Sequence, residues 1–129
     1  MIINSKNGSI LNTKDFCIHD DIFYSLEFKY DYKIIVLKMK KYMAEKNYDI
    51  VFSNVLGFEM SNCDFWGKSE CVFDLQYIEQ EKYQLIPKIK SKWEKESVSS
   101  DDIFINCFEI LITFTSGNEL RIVCDSIEV

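Results

Sequence analysis

Apolar and polar positions alternate from Ile22 to Tyr30, with Ile22, Tyr24, Leu26, Phe28 and Tyr30 on one face and Ser25, Glu27 and Lys29 on the other. A period of two predicts a strand with one face on a core. The polar triplet Asp31-Tyr32-Lys33 separates this run from Ile34-Ile35-Val36-Leu37-Lys38-Met39-Lys40, which is β-branched at its start and alternates at its end, so the two runs read as a hairpin. After a polar connection around Ala44-Glu45-Lys46-Asn47, the run from Tyr48 to Val55 adds a third strand and makes a meander.

The alternation lapses from Leu56 to Lys68, where Gly57, Ser61-Asn62, Asp64 and Gly67 mark an irregular connection. Phe58, Met60, Phe65 and Trp66 within it imply a loop folded back on the core. Alternation resumes from Cys71 to Ile78, with Val72 and Asp74 opposite Phe73, Leu75 and Tyr77. The stretch from Glu79 to Ser100 is the most polar of the chain, and Pro87 forbids a regular helix running right through it, which leaves room for a short or broken one. From Ile103 to Thr115 a long β run places Phe104, Asn106, Phe108, Ile110, Ile112 and Phe114 on one face. Ser116-Gly117-Asn118 turns it into a return strand, Glu119 to Cys124, with Leu120, Ile122 and Cys124 inward and Ile127 and Val129 continuing the alternation. The expected fold is mainly β: antiparallel meanders in a strongly curved sheet, a small sandwich or a partial barrel, with at most one short helix.

The 129 residues suit a single domain, 1–129, and ten Phe, seven Tyr and two Trp supply bulk for one core. The longest apolar runs, Ile34 to Leu37 and Ile110 to Ile112, fall far below the ~20 residues of a membrane span. The N-terminus lacks the pattern of a secretory signal. The five cysteines, Cys17, Cys63, Cys71, Cys107 and Cys124, are odd in number and show no C-x-x-C spacing, so reduced thiols in a cytoplasmic protein are expected, with neither metal nor other cofactor. A net charge of −6 disfavours nucleic acid and anionic lipid. That charge either maintains solubility or steers a basic partner protein toward an acidic face.

Chemistry-bearing residues concentrate in Cys17-Ile18-His19-Asp20-Asp21, which puts a thiol, the only imidazole and two carboxylates just before the first strong strand. A hydrolase could use His19 with Asp20 or Asp21. The alternative is that Asp20 or Asp21 caps a turn while His19 packs or bonds locally. A metal site would need more than this one histidine. Gly8, Gly57, Gly67 and Gly117 are too dispersed to write a phosphate loop or a serine nucleophile elbow. Lys82, Lys88, Lys90, Lys92 and Lys95 interleave with Tyr83 and Trp93, as in strand-binding surfaces, but Glu81, Glu94 and Glu96 nearly balance them. Phe65-Trp66-Gly67 could anchor a partner or close the open end of the sheet.

His19-Asp20-Asp21-Ile22 leading into a meander, then Phe52-Ser53-Asn54-Val55, Asp64-Phe65-Trp66-Gly67 and Phe114-Thr115-Ser116-Gly117-Asn118-Glu119-Leu120-Arg121-Ile122, resembles small uncharacterised bacterial proteins. Some proteins of that kind are similar to immunity proteins encoded beside secreted toxins. The resemblance implies a β-rich fold and carries no catalytic residue across. Three functions follow: a non-enzymatic protein-interaction domain of immunity type, with Phe65, Trp66, His19, Asp20 and Asp21 as candidate binding residues; a small-ligand-binding β domain; and the hydrolase. For the first, the partner is another protein, basic in character, or a second copy of the chain.

Overall fold

The computed structural model describes residues 1–14, 16–61, 70–96 and 101–129. In chain order the strands are β1 (Ile2–Asn4), β2 (Ile22–Lys29), β3 (Ile34–Lys40), β4 (Asn47–Ser53), β5 (Gly57–Met60), β6 (Val72–Tyr77), β7 (Phe108–Phe114), β8 (Glu119–Cys124) and β9 (Ser126–Glu128). Two helices, α1 (Leu85–Lys95) and α2 (Asp101–Phe104), lie between β6 and β7. Among the described residues the strands form two antiparallel sheets, ordered β1-β9-β4-β3-β2 and β5-β8-β7-β6. The mainly β expectation therefore holds, in its sandwich form.

One core lies between the sheets. Ile3, Ile35, Leu37, Met39, Ile50, Phe52 and Ile127 come from the five-stranded sheet, and Val72, Leu75, Phe108, Ile110, Ile112, Phe114, Leu120, Ile122 and Cys124 from the four-stranded one. Each large side chain fully buried there stabilises the fold by about 1.5–3 kcal/mol. On the far face of the four-stranded sheet a second cluster joins Val123 to Leu85 and Ile86 of α1 and to Phe104, with Ile89 and Trp93 packed against it. The helix is thus a third layer. It crosses β5 where a Cβ on Gly57 would stand 2.5 Å from Ile89 Cδ1, so a larger residue there would have to displace the Ile89 side chain. The hairpin of β7 and β8 turns at Gly117, whose φ of 90° suits glycine.

Several sequence expectations need correction. Tyr24 was expected to share a face with Leu26, and Phe73 with Leu75, but each strand carries a bulge. The register jumps from Phe23↔Met39 to Ser25↔Lys38 in one pair and from Val72↔Phe114 to Asp74↔Thr113 in the other. The extra residue inverts the alternation. Phe23 and Val72 consequently pack inside, while Tyr24 and Phe73 are 55% and 56% exposed. Within the connection expected from 56 to 68, residues 57–60 form β5, paired with β8. The long run from Ile103 is α2 and a turn, and its strand begins only at Phe108. The short helix for which the polar stretch left room is α1, and Pro87 is its third residue, where the helix needs no N–H from it. Val129 lies beyond β9 and is exposed, although Ile127 is buried.

Candidate functional site

Two grooves flank the sandwich. The first runs beside β6, an outer strand of its sheet, whose two ends are hydrogen-bonded to the preceding chain. At one end Asn12 imitates a strand partner: Tyr77 N–H donates to Asn12 Oδ1 (2.9 Å) and Asn12 Nδ2 donates to Tyr77 O (3.0 Å). At the other, Asp20 N–H donates to Val72 O (2.8 Å) and Val72 N–H to Asp21 O (2.9 Å). The opening, about 420 Å³, is lined by Leu11, Phe16, Ile18, His19, Phe73 and Leu75 among others.

The chemistry-bearing run reaches this groove but divides there. His19 Nδ1 lies 3.1 Å from Asp20 Oδ2, both side chains about half exposed, and the imidazole rests 5.5 Å from the Phe73 ring. Asp21 belongs elsewhere. It is 1% exposed and accepts the Tyr42 N–H (2.8 Å), the Tyr48 hydroxyl and, at 3.4 Å, the Lys41 ammonium, which ties the β3–β4 connection to the segment before β2. Burial, then the hydrogen bond and charge of Asp21, push the Tyr48 phenol far above the usual tyrosine value. Covalent hydrolysis through His19 would need a nucleophile beside its dyad. Cys17 lines the same groove and is exposed, but no hydrogen bond joins its thiol to His19 among the described residues. Burial, and then the charges of Asp20 and Glu70, raise the Cys71 thiol, while Cys107 is pushed up to about 11, chiefly by burial. Protonated thiols are poor nucleophiles.

The second groove, about 610 Å³, is lined by Phe28, Tyr30, Asp31, Lys33, Leu56, Phe58 and Trp93 among others. Phe28 meets Tyr30 at 5.9 Å and Phe58 at 5.0 Å between ring centroids, both nearly edge-on, the geometry aromatic quadrupoles favour. All three rings are exposed, Tyr30 at 79%. Trp93 is held in the wall by its own contact with Phe104 at 5.3 Å.

What places Trp93 is Glu109 of β7, fully buried under the start of α1. Its carboxylate accepts the N–H groups of Gln84 (3.0 Å), Leu85 (2.8 Å) and Ile86 (2.9 Å), and Arg121 Nη1 at 2.9 Å. Gln84 supplies no side-chain cap, and Pro87 has no N–H to satisfy. Glu109 therefore meets every open donor of the first turn and sets a negative charge at the positive end of the helix. Sequence reasoning singles out neither Glu109 nor the aromatic groove. The available signal for Glu109 is a carboxylate in an apolar run, opposite Arg121 two strand positions away on the same outer face.

Of the site residues expected from sequence, His19 and Asp20 meet and Asp21 is turned away; Phe65 and Trp66 lie outside the described residues. Among the described residues no three His, Cys, Asp or Glu side chains are grouped to hold a metal ion, and no helix is long and apolar enough to cross a membrane. No protein-family model, curated protein or solved structure matches the chain.

Proposed function

We propose that the chain is a non-catalytic protein-binding domain that holds a basic partner protein in its aromatic groove, immunity-type inhibition of a bacterial toxin being the form suggested by the sequence resemblance. The observation that supports this most is the exposure of three touching rings, Phe28, Tyr30 and Phe58, around a groove of about 610 Å³. A single exposed aromatic is ordinary, but binding energy concentrates where several cluster in a pocket. The partner's sign comes from the net charge of −6, which steers a cationic surface inward. A second reading, small-ligand binding, is favoured by the volumes of the grooves, which fall within the range that holds small molecules.

The test is capture from extracts of the cells that encode the chain, followed by binding kinetics with the purified partner. Tyr30→Ala and Phe58→Ala are expected to hasten dissociation, each at a cost of about 2 kcal/mol, the scale of a hot-spot residue, while Tyr42→Ala leaves it unchanged. Association should slow as salt rises from 0.01 to 0.15 M and the Debye length falls from about 30 to about 8 Å. A captured protein indifferent to Tyr30 and Phe58 would overturn the proposal. So would self-association abolished by the same two substitutions, or retention of a small molecule in place of a protein.

A further inference from the structure

We propose that the groove beside β6 binds an extended segment of a partner protein in which apolar and basic residues alternate, taken up as a fifth strand of the four-stranded sheet. The groove shares no lining residue with the aromatic one, so this site stands independently of the preceding reading.

The backbone of β6 defines the kind of ligand. Ile78 N–H donates to Glu109 O, toward β7, whereas Tyr77 and Val72 direct their N–H and C=O away from β7, to Asn12 and to residues 20 and 21. Between those two outward positions, Leu75 is the third by the period of the antiparallel ladder, since Gln76 and Ile78 face β7. Among the described residues nothing pairs with the outward N–H and C=O of Leu75. An extended backbone offers the matching acceptor and donor together, which is how strand addition works at an open edge. From Phe73 to Gln76 the edge measures about 13 Å at 3.3 Å per residue, the length of about four ligand residues.

The side chains define its composition. On the core side the groove is floored by Leu11, Phe16, Ile18 and Leu75, which suits an apolar side chain. On the other side stand Asp74 and Glu79 against Lys82 alone, with Asp20 beside the lining His19. Asp74 already accepts Gln76 Nε2 at 2.6 Å, which orients the carboxylate and leaves it acceptor capacity. Successive residues of a strand point to opposite sides, so a ligand that places one side chain on the apolar floor places the next beside these carboxylates. A basic residue fits there.

The probe is an N-acetylated, C-amidated Val-Lys-Val-Lys-Val peptide titrated into the intact protein and followed by backbone amide NMR. Binding is expected to shift the amides of residues 73–76 and to slow hydrogen exchange at Leu75. N-methylation of the central valine should weaken it about tenfold, because one hydrogen bond is lost and its acceptor left unpaired. Replacing both lysines by glutamate should abolish it, and Glu79→Gln, at an exposed position, should weaken the lysine peptide while leaving the fold intact. No binding, shifts confined to other residues, equal binding of the N-methylated peptide, or equal binding of the glutamate peptide would each overturn the proposal.

Discussion

Asp21 and Glu109 are both buried carboxylates, and each fixes the segment that walls one groove, but they do so with different partners. Asp21 draws on a phenol, one backbone N–H and an ammonium that stays half exposed. Glu109 is sealed from solvent and meets three backbone N–H groups and a guanidinium that is itself mostly buried. The Lys41 ammonium keeps contact with solvent, whereas the Arg121 guanidinium largely does not. The β6 groove thus has a wall tied in part by an ion pair open to solvent, whereas the aromatic groove has a wall fixed by a capped helix, as a preformed pocket requires.

The largest effect separating the two should come from Glu109→Ala. It strands Arg121 and three helix N–H groups, and breaking a buried pair of this kind costs about 3–5 kcal/mol. Chemical denaturation would measure it. Glu109→Gln should cost less, because its carbonyl can still cap while its amide confronts donors. Asp21→Ala is expected to cost about 1.5–3 kcal/mol, the range for hydrogen bonds to a charged group. A larger loss at Asp21 than at Glu109 would reverse the comparison.

How much of this is legible in the chain follows from the same residues. Strand existence is readable wherever one face meets the core, as in β3, β4, β7 and β8, because period two is imposed by burial. The face is misread at Tyr24 and Phe73, since a bulge is one residue inserted into a pairing and leaves no mark on composition. β5 escapes notice because it is only four residues long, with Gly57 placed for a helix from elsewhere in the chain. Asp21 stands out for its neighbours His19 and Asp20, yet its partners Tyr42 and Tyr48 are more than twenty residues away. The aromatic groove gathers residues from β2, β5 and α1, a juxtaposition that only the third dimension supplies.

A smaller effect distinguishes the two sides by pH. Tyr48 reports on Asp21, and Tyr83 on the Glu109 side, where burial first, then Tyr77 and the charge of Glu109, push its phenol up to about 12. An unfolded tyrosine ionises near pH 10, before either folded phenol does. Above that point the unfolded chain has released protons that the native state keeps, so native stability falls. The contribution is complete below about pH 10 and, for Tyr83, is lost as the pH rises through its folded value. Tyr48→Phe and Tyr83→Phe should each flatten the decline of melting temperature above pH 10, and Tyr48→Phe should flatten it over the wider range, because its phenol is displaced further. A decline unaltered by both would remove these two residues as its source.

The smallest expected effect is a coupling close to zero. Asp21 binds Tyr42, Tyr48 and Lys41; Glu109 binds Gln84, Leu85, Ile86 and Arg121, and the two sets share no member. They also belong to different layers: Tyr48 packs on the core between the sheets, whereas Leu85 and Ile86 pack in the cluster beneath α1. Substitutions without shared partners add to within about 0.5 kcal/mol. Tyr48→Phe and Glu109→Gln, each mild enough to leave a folded protein, should therefore destabilise the double variant by the sum of their separate effects. A departure of more than about 1 kcal/mol would mean that the layers communicate through the four-stranded sheet, for interaction energies of that size arise only between residues in contact or linked by a common network. The two grooves would then have to be treated as one coupled system, and occupation of the β6 edge would alter affinity at the aromatic rings.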